Sequence, residues 1–214
     1  MRKGLIGLFL IAMSVAGSAQ ADVVRVAALG DSLVHGYGLV PEQGFVPQLE
    51  QWLQAQGAEV ELINAGVSGD TTAGGAARVD WTLSDDVDGM IVVLGGNDLL
   101  RGMAPEQARN NLQRILEAAQ DSEVSVLLVG MRAPGNFGAE YKARFEAIYP
   151  ELAQEYGALY FDNFFTGLDP NAEDLSSVQQ YMQADGIHPN AEGVVRIVEA
   201  FGPSAMELVK TLEE

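Results

Sequence analysis

Short apolar runs alternate with amphipathic helical patterns along most of this chain, and that alternation limits the fold more than any other feature. Residues 23–29, 58–63, 89–94, 123–129 and 158–161 read as strands. The first, third and fourth are almost wholly apolar, as strands of a parallel sheet covered on both faces must be. Between them, Ala108, Leu112, Ile115, Leu116 and Ala119 mark one face of a helix opened by Pro105. Tyr141, Phe145, Ile148, Tyr149, Leu152 and Tyr156 mark another, in which Pro150 predicts a kink or restart. The tail, 190–213, reads as helix with a break at Gly202-Pro203. Such βα alternation predicts the α/β class: a three-layer α/β/α sandwich with right-handed crossovers and a site beyond the carboxyl ends of its strands.

At 214 residues the chain has one domain's worth of length. Its first residues read differently from the rest. Arg2 and Lys3 are basic, Gly4 to Met13 is apolar, and Ala19-Gln20-Ala21 has the small residues of a cleavage site. That pattern predicts a secretory leader over 1–21, cut after Ala21 and too short to span a bilayer, leaving a single domain over 22–214. The expected destination is the periplasm or the exterior, with no stable membrane insertion once the leader is gone. Loss of Arg2 and Lys3 takes the formal charge from −18 to −20, which disfavours nucleic acid and anionic lipid headgroups. There is no cysteine, hence no disulfide framework and no thiolate zinc site. The acidic runs Asp85-Asp86 with Asp88, and Glu173-Asp174, lack calcium-ligand spacing. No metal is expected, and the mature protein is expected to be a monomer.

The residues with chemistry cluster after the strands. Gly30-Asp31-Ser32-Leu33 follows the first apolar run, so a serine sits on a tight turn where its hydroxyl can stand clear of the sheet. Asp185-Gly186-Ile187-His188-Pro189-Asn190 sets a carboxylate and an imidazole three residues apart. His188 is the natural base for Ser32, because imidazole exchanges protons near neutral pH, and Asp185 would fix its tautomer. Each segment alone also reads as ordinary turn chemistry: Gly-Asp-Ser as a turn, Asp185 as a helix cap. The other histidine, His35, lies three residues beyond Ser32 without an acid at a comparable spacing, and reads as a rim residue that can touch substrate. Candidate donors for an oxyanion are the Ser32 amide, the unshielded N–H of Gly66 within Asn64–Thr72, and the side chain of Asn97 in Gly95-Gly96-Asn97-Asp98. The chain has no G-x-S-x-G elbow, no serine with lysine three residues on, and no Walker or dinucleotide-binding glycine loop.

Taken in order, Gly30-Asp31-Ser32-Leu33, Gly66, Gly95-Gly96-Asn97-Asp98 and Asp185-Gly186-Ile187-His188-Pro189 resemble the blocks of the SGNH (GDSL) hydrolase superfamily. The likeness runs from about Val24 to Val195 and is greatest to the bacterial arylesterase and thioesterase/lysophospholipase-like branch. The resemblance implies a flavodoxin-like fold with a five-stranded parallel sheet and no metal or organic cofactor. It implies Ser32 as nucleophile, His188 as base and later acid, and Asp185 as its orienter. Ser32, Gly66 and Asn97 would then form the oxyanion hole. His35 departs from the small residue usual after the serine.

The reaction so implied is two-step hydrolysis of a small-molecule ester, with activity rising through one ionisation as the imidazole loses its proton. Leu99, Leu100, Met103, Met131, Phe137, Phe164, Phe165, Tyr181 and Met182, on loops after the later strands, are candidates to shape the acyl site, with Leu99, Met131 and Phe137 joining His35 as substrate-binding residues. Export and acidity favour small aryl and short-to-medium acyl esters, with zwitterionic lysophospholipids or thioesters also open. Carbohydrate O-acetyl esters are the alternative substrate. A non-catalytic binding module and a nucleotide- or flavin-binding domain share the architecture, since fold does not fix function.

Overall fold

All five apolar runs form strands in the computed structural model, which describes residues 23–83, 86–168 and 178–213. They are β1 (Val24–Gly30), β2 (Val60–Gly66), β3 (Gly89–Val93), β4 (Ser125–Val129) and β5 (Leu159–Phe161). All pair in parallel, in the order β2-β1-β3-β4-β5. The interior strands β1, β3 and β4 are buried along nearly their whole length, which explains their continuous apolar character. Edge strand β2 alternates, with Val60 and Leu62 buried and Glu61 exposed.

Among the described residues, seven helices complete the fold: α1 (Ser32–His35), α2 (Phe45–Ala55), α3 (Thr72–Thr82), α4 (Gly96–Leu100), α5 (Pro105–Asp121), α6 (Ala139–Tyr156) and α7 (Ala191–Leu212). Helices α2 and α7 pack on one face of the sheet, α3, α5 and α6 in a row on the other. The first face is sealed by aromatic contacts, Phe45 and Phe161 meeting Phe201 at centroid separations of 5.5 and 4.9 Å. This is the expected α/β/α sandwich. The chain reverses direction across the sheet between β1 and β3, so the topological switch lies beside the turn that carries Ser32.

Several boundaries differ from the sequence reading. Strand β2 runs on through Asn64-Ala65-Gly66, because β1 also continues and offers a ladder partner at each step, ending at Gly30↔Gly66. The α5–β4 connection passes through Glu123 in a left-handed conformation (φ 56°), so β4 starts at Ser125. Neither a restart at Pro150 nor the expected break at Gly202-Pro203 occurs. Helix α6 continues through Pro150 and α7 through Pro203. Both prolines are exposed, so each carbonyl deprived of its partner faces water rather than apolar core. Gly202 is a packing position: a Cβ there would lie 2.6 Å from the Trp52 ring of α2. Pro189 does not open α7; Asn190 does, its Oδ1 accepting from Gly193 N at 3.0 Å.

No helix among the described residues is long and apolar enough to cross a membrane. The leader over 1–21, its cleavage site, Asp85 and the Glu173-Asp174 pair lie outside the described residues. Asp86 and Asp88 engage Arg25, Asp86 through its side chain and Asp88 by accepting the Arg25 N–H at 2.7 Å.

Candidate active site

Adjacent strand ends bring the chemical residues together. Gly30 lies opposite Gly66 on one side and Val93 on the other, so the segments carrying Ser32, Gly66 and Asn97 leave three neighbouring strands at one rim. Ser32 is the first residue of α1, a single turn. Asp31 caps it, Oδ1 accepting from Leu33 N at 3.0 Å, and Gly36 ends it in a left-handed conformation.

From the far end of the chain, 156 residues later, comes His188. Its Nε2 lies 2.8 Å from Ser32 Oγ and its Nδ1 lies 2.7 Å from Asp185 Oδ2. Asp185 does not cap a helix. Its Oδ1 instead accepts the backbone N–H groups of Ile187 and His188, at 2.9 and 3.1 Å. The His188 side chain and those two amides hold its carboxyl down at about 2. The ionised carboxylate accepts from Nδ1–H, which leaves Nε2 unprotonated and facing the serine hydroxyl. Ser32, His188 and Asp185 therefore form an unbroken relay in which a proton can leave the hydroxyl.

Gln183 ties the His188 loop to the Ser32 side of the site. Its backbone N donates to His188 O at 2.7 Å, and its side-chain amide donates to Tyr37 O at 2.8 Å and Pro189 O at 3.0 Å. The Tyr37 ring lies against the imidazole, centroids 4.7 Å apart. Arg78 of α3 clamps the strand ends, donating to Gly30 O and Ala65 O at 2.8 Å each while pairing with Asp70 at 2.7 Å.

The donor candidates occupy different local settings. Ser32 N belongs to the first turn of α1, where amides have no intrahelical acceptor. Gly66 N donates to Asn64 Oδ1 at 3.0 Å, a bond that an oxyanion bound there would share or displace. A Cβ on Gly66 would lie 2.3 Å from His35 N, so glycine is required by the approach of α1. Asn97 directs Nδ2 to Asp31 Oδ2 at 3.2 Å. Asp98 turns the other way and is fully buried, accepting from Thr72 N at 2.8 Å and Thr72 Oγ1 at 2.6 Å. Asp31 is also buried, 1 % exposed, and burial pushes its carboxyl up to about 6.

The substrate-side candidates separate into two groups. Leu99, Met131, Phe164 and Met182 are buried, Phe164 against Phe45 and Phe165. Leu100 and Phe137 are exposed. Phe137 lies tilted against Tyr141, ring centroids 5.0 Å apart, and Tyr141 donates to Met103 O at 2.8 Å, joining the loops after β3 and β4. The Tyr181 ring is covered by the Arg196 guanidinium at 4.2 Å. His35 is exposed at the end of α1, its Nδ1 3.3 Å from Gly66 O. Asp31, Tyr37, Arg78 and Gln183 went unassigned in the sequence. For Asp31 a signal existed, an Asp immediately before a serine-led helical turn; the other three act through tertiary contacts alone.

A sequence model of the GDSL-like Lipase/Acylhydrolase family matches residues 28–195. Esterase TesA of Pseudomonas aeruginosa is 37% identical over 191 residues, 89% of this chain and 92% of that protein. Thioesterase 1/protease 1/lysophospholipase L1 of Escherichia coli K12 is 34% identical over 203 residues, 94% of this chain and 91% of that protein. Among solved structures, AlinE4, an SGNH-hydrolase family esterase, superposes with a TM-score of 0.72 at 40% identity, covering 88% of this chain and 98% of its own. With the family model matching residues 28–195, relatives at 34–37% identity over most of its length and a fold that superposes on such an esterase, the chain belongs to the GDSL-like lipase/acylhydrolase family.

Proposed function

We propose that the protein is a serine esterase that hydrolyses small aryl and short-to-medium-chain acyl esters through an acyl-enzyme on Ser32. The observation that carries this reading is the relay from Ser32 Oγ to His188 Nε2 at 2.8 Å and from Nδ1 to Asp185 at 2.7 Å. His188 takes the hydroxyl proton as Ser32 Oγ attacks the acyl carbonyl. Negative charge develops on the carbonyl oxygen, where the Ser32 and Gly66 amides and Asn97 Nδ2 are the assigned donors. The tetrahedral species collapses, the C–O bond to the leaving group breaks, and His188 returns its proton to the departing alcohol. Water, deprotonated by the same imidazole, then cleaves the acyl-enzyme, and Ser32 recovers its hydrogen.

Substrate class follows from the rim. Tyr37, Val67, Leu100, Phe137 and Ile187 are exposed on segments that follow different strands or hold the base, and they support binding of an aryl or acyl group. The formal charge of −18 opposes polyanionic esters. The relatives' names, esterase and thioesterase/lysophospholipase, support the same range. Residues 22–214 are taken as one catalytic domain, exported and monomeric, with the leader removed after Ala21. N-terminal sequencing of exported protein should begin at Asp22; an intact Met1 on active, exported protein would overturn that part.

p-Nitrophenyl esters from acetate to decanoate test the activity. The mature protein should turn over the shorter members and Ser32→Ala should not. Activity surviving in Ser32→Ala would remove the proposed nucleophile. Acetate release from acetylated sugars without hydrolysis of the simple esters would move the assignment to carbohydrate deacetylation.

A further inference from the structure

Asp31 lies between the nucleophile and an oxyanion donor, yet the mechanism above gives it no task. Its two oxygens point to different partners. Oδ1 accepts from Leu33 N at 3.0 Å, holding the turn that presents Ser32, and Oδ2 accepts from Asn97 Nδ2 at 3.2 Å. The side chain is buried, and Gly96 lies close, where a Cβ would be 3.4 Å from Oδ2. A buried carboxylate whose hydrogen-bond partners are neutral costs stability, which points to a use for it.

We propose that Asp31 is the positioning residue of the oxyanion hole, fixing which end of the Asn97 side-chain amide faces the substrate. This rests on the assignment of Asn97 as an oxyanion donor. A carboxamide has two nearly isosteric ends, one donating and one accepting. An ionised carboxylate only accepts, so Asp31 selects the rotamer with Nδ2 toward it. One Nδ2 hydrogen is spent on Asp31 and the second is left for the carbonyl oxygen of the substrate. With the amide reversed, a carbonyl oxygen would meet the developing oxyanion and repel it. Asp31 thus acts on the reaction through Asn97, not by touching substrate.

Asn at position 31 would undo this selection with little change in shape. Asparagine is as good an N-cap as aspartate, so Oδ1 can keep the Leu33 contact. Its Nδ2 would then face Asn97, where only the reversed amide can accept it. Burial raises the proton affinity of Asp31 most; the Leu33 amide, the Asn97 side chain and His188 from the loop before α7 lower it, and Asp98 of α4 raises it. Tyr149 of α6 also faces it, and Arg78 of α3 sits on the Gly30 carbonyl but is paired with Asp70.

A double-mutant cycle with Asp31→Asn and Asn97→Ala, read as kcat and KM on p-nitrophenyl acetate, tests the inference. Asn97→Ala should lower kcat by roughly 10²–10³-fold, the effect of losing one oxyanion donor. Asp31→Asn should lower kcat by at least about tenfold with KM nearly unchanged, and should add nothing in the Asn97→Ala background. Multiplicative losses, or wild-type kcat in Asp31→Asn while Asn97→Ala is slow, would overturn the role of Asp31 alone. An unaffected Asn97→Ala would overturn the oxyanion assignment and this inference together. A measurement on otherwise native protein stands beside the cycle in case Asp31→Asn does not fold. Below pH 6, log kcat/KM should fall with a slope greater than one in the wild type, because turnover then needs both a deprotonated imidazole and an ionised Asp31, and with a slope of one in Asn97→Ala. Equal slopes would contradict the inference.

Discussion

Two carboxylates at the same serine are driven in opposite directions by their surroundings. Asp185, on a partly exposed loop, accepts one ring N–H and two backbone N–H groups and is held at about 2. Asp31, buried with neutral donors, is raised from 3.8 to about 6. The linkage signs follow. Asp185 binds its proton less tightly folded than unfolded, so its contribution to stability is present above pH 4 and is lost as pH falls through about 2. Asp31 binds its proton more tightly folded, so its contribution is full below pH 4 and is lost as pH rises through about 6. Replacing Asp31 with Asn should therefore raise the melting temperature at pH 8, by the equivalent of up to about 3 kcal/mol, and give little gain at pH 4. Thermal denaturation at the two pH values checks this; equal gains would show that charge burial is not the cause. Asp185→Asn should keep the backbone contacts, but its amide would donate to His188 Nδ1 and force the proton onto Nε2. The expected result is a fall in kcat of about 10⁴-fold with a folded protein, and near-normal kcat would deny Asp185 its orienting role.

At the scale of elements, the site depends on close approaches that only small residues permit. Gly66 lets α1 sit against the end of β2; Gly66→Ala would place Cβ 2.3 Å from a backbone nitrogen, which cannot move without moving Ser32. Both activity and stability should fall, the latter by about 1–3 kcal/mol, as in other overpacked positions. Denaturant titration alongside the kinetics checks this, and an unchanged midpoint would mean α1 is free to shift. Gly202 plays the same part between α7 and the Trp52 ring of α2, far from the chemistry, so Gly202→Ala should lower stability with kcat retained. The sequence disclosed these elements unevenly. Strands β1, β3 and β4 were legible because burial on both faces leaves an apolar run. The continuity of α6 and α7 was not, since whether a proline interrupts a helix depends on whether its freed carbonyl faces water, a property of the tertiary fold. Among site residues, Ser32, Asp185 and His188 stood out by residue type and by their turn neighbours. Gln183 carries no such mark; its effect comes from three hydrogen bonds to Tyr37, His188 and Pro189 that exist only once the chain is folded.

For the molecule as a whole, parallel strand order and a single topological switch gather loops from the full length of the chain at one rim, while the acidic surface sets what can approach it. The charge of −18 should repel anionic esters over distances near the Debye length, about 8 Å at physiological ionic strength. Hydrolysis of an ester with an anionic headgroup should therefore speed up with added salt, while a neutral ester of the same acyl length should not. Initial rates between about 10 mM and 500 mM salt check it; parallel responses would mean the rim is not governed by net charge. The proposed reaction requires that Ser32 Oγ be the atom that attacks. Treating the mature protein with a p-nitrophenyl phosphonate ester and mapping the adduct by peptide mass spectrometry tests this most directly. One equivalent of label on Ser32, with loss of activity in step and none in Ser32→Ala, is the predicted result. Label on another residue that tracks inactivation, or hydrolysis that continues in the fully labelled protein, would contradict it.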